Sequence, residues 1–236
     1  MKHFFINSNK TLSSINNSDE LYHHLSKVMR IKTGEQIELV LTNQTIDLVE
    51  VSSIDKDKIE LKFIENYTRD TEMPIDVTVV ISPLKNDRTE WLLQKATELG
   101  VKKFIFVDFK NSVVVIKRIE NKLERYQKIV QAAAEQSQRN MIPAIEFSNL
   151  ENLPVADLQI IANENYVNKS DFVLSKIVSK QTKNLIAIFG PEGGFDNSEI
   201  ELLEQRNFIS INLGPRILRA ETAPLYLLSV VSSIIE

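Results

Sequence analysis

The segment Ile188-Phe189-Gly190-Pro191-Glu192-Gly193-Gly194-Phe195 decides the fold class of the larger part of this chain. An apolar run ends there in a glycine-rich loop, and a helical pattern starts at Asp196 or Asn197. The stretch Asn212-Leu213-Gly214-Pro215-Arg216 repeats this arrangement. Ligands of open α/β sheets bind beyond the carboxyl ends of strands, where glycine permits positive φ or close approach to a ligand. The two loops together predict a ligand pocket, although either loop alone also fits a simple tight turn.

Outward from these loops, short apolar runs alternate with helical stretches, a pattern typical of parallel strands joined by helical crossovers. One predicted helix opens at Asp87, with Glu90 at capping-box spacing, and ends at Gly100. The sequence thus predicts an α/β domain over residues 74–236. Its expected strands are 77–81, 104–107, 158–162, 185–189 and 209–213, and its other helices are 121–136, a helix from 196 or 197, and 223–235.

The first 65 residues have a different pattern. A helix is expected over about 18–29, where Asn17 and Glu20 have capping-box spacing. The polar segment 66–74 lacks periodicity and ends in proline, which is typical of a domain boundary. We therefore predict a small β-rich domain over residues 1–70. Its expected strands are 4–6, 37–41, 45–51 and 58–64.

Composition narrows the possible functions. Cysteine is absent and the three histidines lie within the first 24 residues, so disulfides, thiolate catalysis and a metal site are not expected. No run approaches the roughly 20 apolar residues that span a bilayer, and the start turns polar too early for a signal peptide, so we expect a cytoplasmic protein without a membrane partner. The net charge of −4 argues against a protein that coats nucleic acid through a positive electrostatic field over its whole surface. The first 34 residues, with five basic and two acidic side chains, are the local candidate for RNA contact.

The second glycine loop is followed at once by Arg216, Arg219, Glu221 and Thr222. Charged side chains at the mouth of a sheet are costly unless they are solvated, paired or used. The chain contains neither a P-loop motif nor a G-x-G-x-x-G after its first α/β strand, which argues against a phosphate-binding or Rossmann dinucleotide site. Two such loops side by side can form a pocket walled by backbone N–H and C=O groups, which would suit an adenine edge. Spacing alone, however, predicts only a ligand pocket.

Five segments resemble, in the right order, motifs of the ribosomal RNA small subunit methyltransferase E family of the SPOUT superfamily. The resemblance covers essentially the full chain. Two departures are Gln138, where a small residue is expected, and Lys110-Asn111-Ser112, where the family usually has Glu-Arg-Ser. The five segments are HHLSKVMRIK (23–32), RTEWLLQKATELG (88–100), AAAEQS (132–137), GPEGGF (190–195) and LGPRILRAETA (213–223).

The resemblance implies a C-terminal α/β trefoil-knot domain of SPOUT type and a small N-terminal PUA-like, β-rich RNA-binding domain. It further implies a homodimer that uses S-adenosylmethionine to methylate N3 of a uridine in the 16S rRNA of the small ribosomal subunit. The cofactor-binding residues that it implies are Ala162, Glu164, Gly190, Pro191, Glu192, Gly193, Gly194, Leu213, Gly214, Ile217, Leu218, Thr222 and Ala223.

For the chemistry, we expect Arg219, and secondarily Arg216, to stabilise the anion that forms as N3 loses its proton. Glu221 is the candidate base, but a carboxylate beside two arginines is a weak base, so we favour it as the group that orients Arg219. The base stays unassigned, and a purely structural clamp remains the alternative for the arginines. The residues expected to contact RNA are His23, His24, Lys27, Arg30, Arg88 and Arg139.

Two other functions remain open at this point. A related knotted enzyme could methylate ribose 2′-oxygens of transfer RNA, and a non-catalytic RNA-binding assembly factor would need no cofactor. The glycine and arginine loops argue against the second alternative, because an assembly factor has no use for them.

Overall fold

The computed structural model describes residues 1–163 and 174–236. The chain divides into two compact units. The first comprises Met1–Thr71 together with Ala134–Met141, and the second comprises Glu72–Ala133 and Ile142–Glu236. The sequence pattern gave no sign that residues 134–141 would join the first unit.

The first unit is built on a five-stranded sheet with the order β1-β3-β4-β5-β2. The outer strand β1 runs parallel to β3, and the remaining neighbours are antiparallel. Apolar side chains that alternate along the central strands, among them Ile37, Leu39 and Val49, are fully buried in one core. The strands are β1 (Lys2–Phe5), β2 (Ser14–Asn16), β3 (Gln36–Val40), β4 (Ile46–Ile54) and β5 (Lys58–Tyr67).

The helix of this unit differs from its prediction. Its α-helical part, α1, covers only Glu20–His23 and continues as a π-helix over His24–Val28. The expected capping box does not form, because Asp19 is the N-cap and the Asn17 amide donates instead to the carbonyl of Lys56. The wider turn buries Leu25 completely and leaves the basic side chains on either side of it exposed.

A buried polar cluster lies at the edge of the same sheet. The carboxylate of Glu38 accepts hydrogen bonds from Nδ1 of His3 at 2.8 Å, the hydroxyl of Tyr67 at 2.7 Å and the guanidinium of Arg69 at 2.7 Å. Burial by itself raises the pKa of Glu38, but the hydrogen bonds from Arg69, His3 and Tyr67 outweigh it and lower the pKa to about 2. Burial and the bond to Glu38 raise the pKa of Tyr67 to about 12. The ionised carboxylate of Glu38 therefore connects β1, β3 and the end of β5 by hydrogen bonds inside the first unit.

The second unit contains a six-stranded sheet in which every neighbouring pair is parallel, with the order β11-β9-β10-β6-β7-β8. Its strands are β6 (Asp76–Ile81), β7 (Lys103–Val107), β8 (Ala144–Ser148), β9 (Leu158–Ala162), β10 (Asn184–Phe189) and β11 (Ile209–Ile211). The helices, of which α3 ends in the first unit, are α2 (Arg88–Glu98), α3 (Leu123–Gln136), α4 (Leu174–Ile177), α5 (Asn197–Gln205) and α6 (Thr222–Ile235).

Both faces of this parallel sheet are covered, which explains why its central strands β6, β7 and β10 are apolar over most of their length. On one face Val79 and Ile81 pack in a core with Leu92 of α2 and Leu227 of α6. On the other face Val80 and its neighbours pack with α5 in a second core. No helix of the described residues is long and apolar enough to cross a membrane.

The helix starts show which capping signals are used. Asp196 and Glu199 form a complete capping box at the start of α5. The box predicted for α2 does not form, since the Asp87 side chain makes no cap hydrogen bond and Glu90 accepts instead from Arg125 at 2.7 Å. Of these predicted capping signals, the one that forms marks the start of α5, directly after the first glycine loop.

Candidate cofactor site and active site

Three neighbouring parallel strands, β9, β10 and β11, end at the same edge of the sheet, and the loops that follow them enclose a cavity of about 530 Å³. This volume lies within the range of small-molecule sites. The residues that line it are Arg88, Ala162, Asn163, Phe189, Gly190, Pro191, Glu192, Gly194, Phe195, Asn212, Leu213, Gly214, Pro215, Arg216, Ile217, Leu218, Arg219, Ala220 and Ala223.

Most of the residues expected to bind the cofactor are in this wall, but three are not. Glu164 lies outside the described residues. Thr222 lies instead in a separate groove along α6. Gly193 belongs to the glycine loop but does not line the cavity. The predicted residues that do line it are Ala162, Gly190, Pro191, Glu192, Gly194, Leu213, Gly214, Ile217, Leu218 and Ala223.

The loop glycines are required for different physical reasons. Gly214 has φ +125°, a conformation that side chains rarely adopt, so it is needed for the turn itself. A Cβ at Gly193 would lie 2.9 Å from Cβ of Asn111. Gly193 was expected to bind the cofactor, but it faces other protein atoms, so glycine is needed here for packing against Asn111.

Glu221 lies between two arginines of the cavity wall. Its Oε1 is 3.6 Å from Nε of Arg88 and 4.0 Å from a terminal nitrogen of Arg219. The side chain of Glu221 is only 9% exposed, whereas that of Arg219 is 75% exposed. Within the described part of the chain, Oε2 of Glu221 has no hydrogen-bond partner. Glu221 is also the N-cap residue of α6, where the helix dipole favours negative charge. The buried carboxylate thus lies within ion-pair distance of two cations, and the exposed Arg219 is the one of them that extends into the open cavity.

The residues expected to contact RNA are found in three environments. His23, His24, Lys27 and Arg30 are exposed on the first unit. Arg88 instead lies in the cavity wall of the second unit. Arg139 is only 3% exposed, and its carbonyl oxygen lies 2.8 Å from Nε2 of His3, so it is not on the accessible surface.

Sequence reasoning missed part of the cavity wall. Phe195, Pro215 and Ala220 lie inside the two quoted glycine motifs, and Phe189 and Asn212 directly precede them, so counting each whole motif with its preceding residue would have found these five. Asn163, next to the expected Ala162, also lines the cavity. Among the described residues, no group of three or more histidine, cysteine or acidic side chains is arranged to hold a metal ion.

The chain combines a covered parallel sheet, with a cavity at its carboxyl edge, and a small β-rich unit, and its family matches place it in the class of RNA methyltransferases with a PUA domain. Residues 71–232 match the family described as RNA methyltransferase domain. Residues 18–64 match the RNA methyltransferase PUA domain. The expected α/β fold class with an N-terminal PUA-like domain is confirmed.

Particular relatives narrow the class. The chain is 38% identical to ribosomal RNA small subunit methyltransferase E of Bacillus subtilis, over 90% of this chain and 87% of that protein. It is 33% identical to the Mesomycoplasma hyopneumoniae protein of the same name, over 97% and 93% of the two chains. The crystal structure of the Neisseria gonorrhoeae protein of that name, bound to S-adenosylmethionine, superposes with a TM-score of 0.86 at 28% identity and covers 99% of this chain and 97% of its own. This chain belongs to the ribosomal RNA small subunit methyltransferase E family.

Proposed function

We propose that this chain transfers the methyl group of S-adenosylmethionine to N3 of a uridine in the 16S rRNA of the small ribosomal subunit. The observation that carries the proposal is the cavity at the ends of β9, β10 and β11. Two arginines of its wall, Arg88 and Arg219, each lie next to the buried carboxylate of Glu221. Support for the cofactor comes from the Neisseria gonorrhoeae relative, which has the same fold and binds S-adenosylmethionine.

The wall of the cavity fits this cofactor. Leu213, Ile217 and Leu218 would supply apolar surface for the adenosine part, and the backbone groups of the Gly190 and Gly214 loops would serve as hydrogen-bond partners for its polar edges. When bound, the cofactor would supply a methyl group on a positively charged sulfur, so that a nucleophile in line with the C–S bond takes the methyl group and a neutral thioether leaves.

The arginines of the cavity wall can help to activate the substrate, because they can stabilise the negative charge of a uridine that has lost its N3 proton. Uridine N3 is a poor nucleophile while it carries its proton, and the anion formed on its loss spreads over N3, O2 and O4. Arg219 is exposed in the cavity and can stabilise this anion with a planar, permanently charged guanidinium, and Arg88 adds a second positive charge. Glu221 does not line the cavity, so its role is to hold both arginines in position. Arg216, exposed in the same loop, is a secondary contributor.

The first unit is proposed as the RNA-binding part of the molecule. Its sequence matches a PUA domain of RNA methyltransferases. The exposed Lys27 and Arg30, next to His23 and His24, provide positive charge and hydrogen-bond donors for phosphate groups. No such role is assigned to Arg139, because its side chain is buried.

We further propose that the working unit is a homodimer built on α6. One face of this helix is buried against the sheet through Leu227, Leu228 and Val231. Its other face forms an open, largely apolar groove that includes Leu225, Tyr226, Val230 and Ile234. A second copy of the same helix would remove this apolar surface from water.

The trefoil knot also stays a prediction, since the chain between β9 and β10 includes residues outside the described ranges.

The test is in vitro methylation of isolated small subunits with the purified chain, followed by nucleoside mass spectrometry. The proposed function gives 3-methyluridine. A ribose-methylated nucleoside would refute base methylation and favour the 2′-oxygen alternative. Calorimetry that detects no binding of S-adenosylmethionine would instead favour a non-catalytic assembly factor.

A further inference from the structure

The turn after β7 contacts the outer side of the first glycine loop through Asn111. The side-chain amide of Asn111 lies 3.4 Å from the carbonyl oxygen of Gly193 and 3.2 Å from that of Gly194, and it donates to both. Gly194 lines the cavity, whereas Asn111 does not. Asn111 therefore holds the loop from the side opposite to the ligand.

The preceding residue, Lys110, holds the next part of the same segment. Its backbone N–H donates to Oε1 of Glu199 at 2.7 Å, and its ammonium donates to Asp196 at 2.9 Å and to Ser198 at 2.6 Å. Hydrogen bonds from Ser198 and Lys110 lower the pKa of Asp196 to about 2, so the pair with Lys110 is charged at neutral pH. The start of α5 is thus tied to the turn after β7.

Phe109 supports the loop from a third position. Its ring meets the ring of Phe195 edge to face, with centroids 5.6 Å apart. The ring of Phe195 in turn lies so close to Gly190 that a Cβ there would approach it to 3.0 Å. Three consecutive residues, Phe109 to Asn111, therefore contact the chain at several points between residues 193 and 199, and Phe195 relays this support to Gly190.

We propose that residues 109–111 form a clasp that fixes the shape of the cofactor loop, and that Asn111 is a positioning residue for cofactor binding. The naming of the ligand rests on the proposed function, but the clasp itself rests on these contacts. The close fit of Gly193 against Asn111 explains why glycine stands at a position that neither lines the cavity nor has a left-handed φ. The clasp makes the affinity for the cofactor depend on a residue that does not touch it.

The first test compares two substitutions of Asn111. Asn111→Ala removes both hydrogen bonds, and we expect the Kd for S-adenosylmethionine to rise about threefold to tenfold. Asn111→Asp keeps the size but places a carboxylate against two carbonyl oxygens, so its Kd should rise further than that of Asn111→Ala. S-adenosylhomocysteine, which lacks the sulfonium charge, should show the same order, which excludes a simple charge effect. At saturating cofactor kcat should be nearly unchanged. Asn9→Asp, an equivalent change at an exposed residue of the first unit, is the control.

The second test is a double-mutant cycle between Asn111 and Gly193. Gly193→Ala should weaken binding about tenfold, because its Cβ collides with Asn111. Asn111→Gly removes the Cβ that lies 2.9 Å away but leaves the backbone carbonyl oxygen of residue 111 at 3.0 Å. The double variant should therefore bind better than the product of the two single effects predicts, without regaining the affinity of the unsubstituted chain. Strictly multiplicative effects would overturn the clasp.

Hydrogen exchange on the ligand-free chain separates this inference from the proposed function. In Asn111→Asp, amides of residues 190–200 should exchange faster than in the unsubstituted chain, while those of α6 should not change. Unchanged exchange together with unchanged Kd would refute the clasp even if the chain methylates RNA. An unsubstituted chain that does not bind S-adenosylmethionine would count against the proposed function instead.

Discussion

The buried carboxylate of Glu38 should make the first unit sensitive to acid. Its pKa is lowered from 4.5 to about 2 in the folded chain. A carboxylate with a lowered folded pKa stabilises the fold fully above its unfolded value, and this contribution is lost as the pH falls towards the folded value. A shift of this size corresponds to about 3 kcal/mol at pH 5.5, of which about 2 kcal/mol is lost by pH 3. Glu38→Gln cannot be ionised and should lack this pH-dependent part.

The comparison is made between pH 5.5, above the ordinary pKa of a glutamate in the unfolded chain, and pH 3, below it. Hydrogen exchange of amides in β3 and β4, corrected for intrinsic rates, reports the local free energy of opening. The original chain should exceed Glu38→Gln in stability by about 2 kcal/mol more at pH 5.5 than at pH 3. An equal difference at the two pH values would show that Arg69, His3 and Tyr67 do not hold this carboxylate as described.

Three further predictions concern the second unit. Arg219→Ala should lower kcat by roughly 10²- to 10³-fold in single-turnover methylation, with little change in the calorimetric Kd for S-adenosylmethionine. Arg219→Lys should recover little of the lost kcat. Loss of cofactor binding in Arg219→Ala would contradict the catalytic role of this arginine. Gly214→Val forces a β-branched residue to φ +125° and should weaken cofactor binding about tenfold or more; normal calorimetric binding would mean that this loop does not form the site. Val230→Asp should convert a dimer into a 27.0 kDa monomer in sedimentation equilibrium, whereas a monomer before substitution would remove α6 as an interface.

Residue patterns alone predicted a β-rich part followed by an α/β part and the sheet edge that carries the cavity, but not that residues 134–141 belong to the first unit. Continuous apolar runs predicted the parallel strands because a sheet covered on both faces needs no polar side. The loops at Gly190 and Gly214 were recognisable because the requirement for glycine is local: backbone conformation and close approach leave a mark in the residue type itself. Charge following the second loop likewise marked Arg216, Arg219 and Glu221 before any geometry was known.

Tertiary structure decided what depends on partners distant in the chain. The capping boxes predicted at Asn17 and Asp87 fail because their partners are engaged elsewhere, Asn17 with Lys56 and Glu90 with Arg125. Arg88 joins Glu221 although 133 residues separate them, Arg139 becomes buried beside His3, and Gly193 meets Asn111 rather than the ligand. Each of these outcomes is a packing relation between segments that the chain brings together only on folding, and no local pattern of residue types encodes which of several possible partners a side chain will meet.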